Sequence, residues 1–101
     1  MTVARISMMR SSPGRKAEIE SLLDAMEEFL STQPGYVMGF RFGGLGDDDH
    51  IGRISLWRSH QDADHAATLN HTVALRSRLH VAIEPGHLET LVEIKGNPKN
   101  L

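Results

Sequence analysis

Val3, Arg5, Ser7 and Met9 alternate with Ala4, Ile6 and Met8, so the chain opens with a predicted strand, apolar on one face and mixed on the other. The period then changes. Ile19, Leu22, Leu23, Met26, Phe29 and Leu30 recur at three- and four-residue spacing, the stripe of an amphipathic helix. Ser12 is its expected N-cap and Pro13 its first helical position, with Pro34-Gly35 as the stop. Alternation returns over Tyr36 to Phe42, which puts Tyr36, Met38, Phe40 and Phe42 on one face and Val37, Gly39 and Arg41 on the other. The glycines and aspartates of 43–49 predict a long hairpin loop, and Ile51 to Trp57 a third strand. In that strand Ile54 and Leu56 lie opposite Arg53, Ser55 and Trp57.

Ser59-His60-Gln61-Asp62 reads as a capping box with Asp in place of Glu. It opens a second helical region, expected to break near Leu69-Asn70 with Asn70 as the new N-cap. Leu75, Leu79 and Ile83 form its stripe and Pro85-Gly86 its end. His87 to Ile94 alternates again, with Leu88, Thr90, Val92 and Ile94 on one face. The domain is expected over 1–94, followed by a polar tail over 95–101.

The order β-α-β-β-α-β is the ferredoxin-like pattern, an α+β fold in which four strands make one antiparallel sheet and the helices cover one face. The sheet has no clearly polar side, so its second face is expected to be buried against a partner sheet in a homodimer.

Composition narrows the function classes. A formal net charge of −2 gives no global positive field for phosphates, which argues against nucleic acid. The absence of cysteine removes disulfides, thiolate nucleophiles and the usual structural zinc sites. No apolar run approaches the ~20 residues that span a bilayer, and the N-terminus lacks the basic-then-apolar pattern of a signal peptide. A soluble, cytoplasmic protein is expected, with no membrane partner.

Three features carry a family resemblance: Pro34-Gly35-Tyr36 leading into the second strand, Trp57 at the end of the third, and His71 before an apolar stretch near the second helix. With the strand–helix order they make the chain, from about Val3 to Ile94, resemble the antibiotic biosynthesis monooxygenase family of dimeric α+β barrels. An earlier helical histidine found in many members falls by count on Ala66, with His65 one place before it. The resemblance implies a ferredoxin-like homodimer with a pocket between helices and sheet in each subunit. Some members oxidise phenols or quinols with molecular oxygen and neither metal nor flavin, the substrate anion supplying the electrons. Other relatives degrade haem or bind ligands. The haem-degrading pattern needs an Asn on the first strand, absent from Val3 to Met9, and a His that counts onto Ala67. This argues against haem degradation.

Oxygen activation by a carbanion needs a base to take a proton and donors to hold the anion. His71 is the candidate base, from the family position and from a helix start rich in backbone N–H groups. Trp57, Tyr36 and His65 are candidate substrate contacts. Arg41 is a candidate anion stabiliser. Arg41 and Arg53 have a competing expectation, pairing with Glu or Asp at the dimer interface. His60 is expected to be solvated, and His80 and His87 structural or exposed. The Asp47-Asp48-Asp49-His50 run lacks calcium-loop spacing, so no metal is assigned to it. Met8, Met9, Met26 and Met38 are expected to be adaptable core. The resulting expectation is a cofactor-independent monooxygenase acting on a small phenolic, quinol or polyketide-like substrate. The alternative is a non-catalytic dimer that binds or senses a small aromatic ligand.

Overall fold

The fold, taken from a computed structural model that describes residues 1–96, has four strands and three helices. They run β1 (Val3–Met9), α1 (Lys16–Leu30), β2 (Tyr36–Gly43), β3 (Ile51–Trp57), α2 (His60–Thr68), α3 (Asn70–His80) and β4 (Leu88–Glu93). The sheet is antiparallel in the order β2-β3-β1-β4, the ferredoxin-like arrangement expected. Of the polar tail expected over 95–101, only Lys95 and Gly96 fall among the described residues. Among those residues no helix is long and apolar enough to cross a membrane.

The helical stripe of α1 behaves as its period dictates. Ile19, Leu22, Leu23, Met26 and Leu30 are buried, and with Trp57, Leu75 and Leu79 they form the core between helices and sheet. Met9 and Met26 join this core, whereas Met8 and Met38 lie on the far face of the sheet, outside the cluster expected of the four methionines. Ser59 caps α2 as expected, its Oγ accepting the Asp62 N–H at 3.1 Å.

Four local expectations are corrected, each by a backbone hydrogen bond or register. Ser12 and Pro13 do not start α1. They belong to a turn closed by Arg15 N–H donating to the Ser12 carbonyl, and Gly14 has φ +79°. Proline followed by a left-handed glycine is the signature of a type II turn, so the helix begins only at Lys16. Asn70 is not an N-cap. Leu69 takes that place with an extended backbone, and Thr72 Oγ1 closes the end of α2 by donating to the Ala66 carbonyl at 2.8 Å. Ile83 is not helical. After His80 the chain turns to pair with 10–12, through Ser12 N–H to Ala82 O and Glu84 N–H to Arg10 O, and Ile83 forms a bridge with Ser11.

The fourth correction concerns β2. Tyr36 pairs with Trp57 and Met38 with Leu56, so Val37 is the extra residue of a β-bulge. A one-residue slip moves side chains to the other face. Tyr36 therefore joins Gly39 and Arg41 beneath the helices, while Met38, Phe40 and Phe42 share the opposite face with Ala4, Ile6, Met8, Ile54 and Leu56.

Candidate functional site

A sheet face covered by helices ordinarily carries apolar side chains, because any polar atom there must find a partner away from water. Here the covered face carries Arg5, Ser7, Arg53 and Ser55 as well as Val3, Met9 and Trp57. The pairing register of β1 and β3 sets the arginines on the same side as Trp57. Ser7, Arg53 and Ser55 are buried, and Arg53 is only 3% exposed.

These groups satisfy one another in a chain. Arg53 Nη1 donates to Glu27 Oε1 of α1 at 3.1 Å and to Ser55 Oγ at 3.0 Å. Trp57 Nε1 donates to the same Ser55 oxygen at 3.3 Å. On the other side of Glu27, the Tyr36 hydroxyl donates to Oε2 at 2.8 Å. The bulge at Val37 permits this, since it turns Tyr36 inward, where its ring meets Trp57 edge-on with centroids 5.5 Å apart. Gly39 permits it as well. A Cβ there would collide with the Glu27 carboxylate and the Tyr36 hydroxyl. Burial, and then donation to Glu27, pushes the Tyr36 phenol well above the ordinary tyrosine range. Burial lowers the pKa of Arg53, and the Glu27 carboxylate opposes that shift.

Two voids flank Arg53. The larger leaves about 20 Å³, room for about one water, and is lined by Met9, Leu23, Met26, Leu79 and Ile83, with Ser7, Arg53, Arg76, His80, His87 and Glu89 as its polar groups. The smaller, about 10 Å³, lies against Arg5, Ser55, Trp57 and Thr72. Apolar walls with a few convergent polar groups are the usual make-up of a small-molecule site.

Of the residues singled out in the sequence, Trp57 and Tyr36 meet in this network. The others lie elsewhere. His71 is exposed and stacks on Phe29, ring centroids 4.3 Å apart, bordering neither void. His65 is exposed on α2. Arg41 is tied to α1 at the sheet edge, by Nη1 to Glu20 at 2.7 Å and Nε to Asp24 at 2.9 Å. The carboxylates that Arg41 and Arg53 pair with thus come from α1 of the same chain, where the sequence reading looked across a dimer interface. His60 is exposed and ion-pairs with Asp64. His80 and His87 are exposed, as expected, yet they also stand together at the mouth of the larger void with rings 5.0 Å apart. Sequence reading gave no role to Glu27, Ser55, Arg5 or Arg76. The available signal was Arg5, Ser7, Arg53 and Ser55 sharing strand faces with core residues.

Asp48, Asp49 and His50 bring ligand-type atoms within 4.8 Å of one another. Their contacts are local: His50 Nδ1 lies 2.6 Å from Asp48, and Asp49 accepts from Arg10 at 2.8 Å.

No family model and no curated protein matches the chain. Solved structures do. SnoaB, a cofactor-independent oxygenase from Streptomyces nogalater, aligns with a TM-score of 0.82 at 18% identity over 98% of each chain. Rv0793 from Mycobacterium tuberculosis aligns with a TM-score of 0.87 at 18% identity, covering 96% of this chain and 98% of its own. A structure described as an antibiotic biosynthesis monooxygenase aligns with a TM-score of 0.81 at 15% identity, covering 93% and 99%. The chain has the fold of these proteins over nearly its whole length.

Proposed function

We propose that this protein is a cofactor-independent oxygenase that oxidises a small phenolic, quinol or polyketide-like substrate in the void beneath its helices. The observation that carries this reading is the buried Tyr36–Glu27–Arg53–Ser55–Trp57 network, whose Arg53 borders a void with apolar walls. Fixed donors beside a void are what a developing oxyanion requires. The likeness to SnoaB in fold supports the same reading.

The chemistry balances without a reductant. A base removes the acidic proton of the phenol or anthrone. The resulting anion gives one electron to oxygen, and the radical pair joins as a peroxide. Loss of water then leaves a carbonyl, so that a ring CH₂ and O₂ become C=O and H₂O. Arg53, held by Glu27, stabilises the substrate anion. His80 and His87 at the mouth are the proton acceptors, being the imidazoles that line the void. Trp57 lines the smaller void on the other side of Arg53.

The apolar sheet face completes the proposal. Phe40, Leu88 and Val92 are all more than one-third exposed there, beside Met38, Ile54 and Ile6. A second copy of the chain, packed sheet to sheet, buries this face.

The ligand-binding alternative draws on the same void and predicts stabilisation by ligand without turnover. Oxygen consumption by metal-stripped protein over a panel of anthrones, quinols and phenols separates the two. Uptake with formation of the quinone supports the oxygenase. Ligand-induced stabilisation without uptake supports the binding module.

A further inference from the structure

We infer that the larger void is a dioxygen site, which seats the gas behind the mouth where the organic substrate gives up its proton. This places the co-substrate of the proposed oxygenase, and its catalytic meaning rests on that reading.

Size is the first argument. At about 20 Å³ the void excludes an aromatic ring but admits a diatomic molecule, which needs little more room than one water. The wall is the second. Met9 of β1, Leu23 and Met26 of α1, Leu79 of α3 and Ile83 beyond it supply most of its surface, and the first four are at most 4% exposed. A water held there needs several polar partners. The polar side chains of the wall are engaged with one another or with the backbone. Arg53 Nη1 donates to Glu27 and Ser55, and Arg76 Nη2 to the Ala67 carbonyl. His80 and His87 stand at the exposed mouth. Small apolar cavities stay dry and take up apolar gases. Dioxygen is such a solute, neutral and more soluble in hydrocarbon than in water, so no surplus charge is needed to hold it.

Position is the third argument. His80 and His87 take the substrate proton in the proposed reaction, so the substrate anion forms beside the opening of this void. Arg53 borders the void from β3. One electron passes from the anion to dioxygen, leaving a substrate radical and superoxide. A fixed guanidinium at that place stabilises the new negative charge until the two radicals join. The neutral gas enters without a cation, and its reduced form meets one.

Methyl relaxation in the full chain, labelled at Met, Leu and Ile and recorded by NMR under nitrogen and under pressurised oxygen, tests this. Dioxygen is paramagnetic and relaxes the nuclei beside which it dwells. The oxygen-induced enhancement at Leu23, Met26 and Leu79 is expected to be at least three-fold that at Ile19 and Leu56, which are also buried but border neither void. I83F extends a partly buried wall residue across the void and is expected to bring the three methyl sets down to the Ile19 level. Thermal melts confirm that the variant is folded, and the comparison within the unmodified protein decides alone should it not fold. Equal enhancement over all buried methyls, a long-lived water seen through its cross-relaxation with the Met26 methyl, or enhancement unmoved in folded I83F overturns the inference. The gas is read without organic substrate, so local enhancement in a protein that oxidises no anthrone leaves the gas site standing and removes only the oxygenase. Turnover of an anthrone with equal enhancement throughout the core does the reverse.

Discussion

Removing both partners of the Arg53–Glu27 pair should cost less stability than the two single removals added together. The guanidinium is 3% exposed, the Glu27 side chain 13%, and the charged atoms are 3.1 Å apart. At that separation the attraction is roughly 5 kcal/mol with an effective dielectric constant near 20. Desolvation of the two ions, several kcal/mol each, offsets most of it. The intact pair is therefore nearly neutral against an apolar substitute, but an orphaned member is not. R53M leaves a buried carboxylate held only by Tyr36, and E27Q leaves a buried guanidinium. Each should lose about 3 kcal/mol, the lower end for a broken buried pair. For a domain of this size that is a fall in Tm of roughly 12–24 °C. The double variant R53M/E27Q should recover about 2 kcal/mol of the summed loss. Urea unfolding followed by the fluorescence of Trp57, the chain's single tryptophan, gives all four stabilities. One fixed protein concentration is needed, because an associating protein gains stability by mass action. Single losses below 1 kcal/mol, or a double variant additive within 0.5 kcal/mol, would refute the coupling.

Two further outcomes follow from the same geometry. Tyr36 is the only tyrosine, so the phenolate absorbance of the native protein reports it alone. Its raised pKa keeps it un-ionised through the pH range near 10 where an unfolded tyrosine titrates, so the native state holds the extra proton and stability falls as pH rises above about 10; E27Q should lower the transition, and native titration near 10 in the unmodified protein contradicts the buried bond to Glu27. Phe40→Asp places a charge on the apolar sheet face, and sedimentation should show a dimer for the unmodified protein and a monomer for the variant, whereas a monomeric unmodified protein sinks the sheet-to-sheet pairing.

Much of the fold was legible because hydrophobic period is a strong local signal. The strand ranges of β1 and β3, the apolar stripe of α1 and the Ser59 cap all follow from a few adjacent residues. What escaped depends on contacts remote in sequence. Pro13-Gly14 could open a helix or close a turn, and the pairing of 10–12 with 82–84 decides for the turn. Strict alternation placed Tyr36 with Phe40, and only the register against β3 reveals the bulge that separates them. The site was legible in part for the same reason. Trp57 and Tyr36 stood out as aromatics, but Glu27 looked like one more acid on a solvated helix face. Its role depends on Arg53 across the core and on the space that Gly39 leaves. His71 stood out through resemblance, and the packing of α3 on α1 turns it onto Phe29.

The most direct test of the central claim is the oxygen stoichiometry of metal-stripped protein with an anthrone. One O₂ consumed per quinone formed, without hydrogen peroxide, is the predicted result. The rate should be lost in H80A/H87A and retained in H71A. No uptake above buffer, or a rate abolished by H71A and untouched by H80A/H87A, would contradict the account.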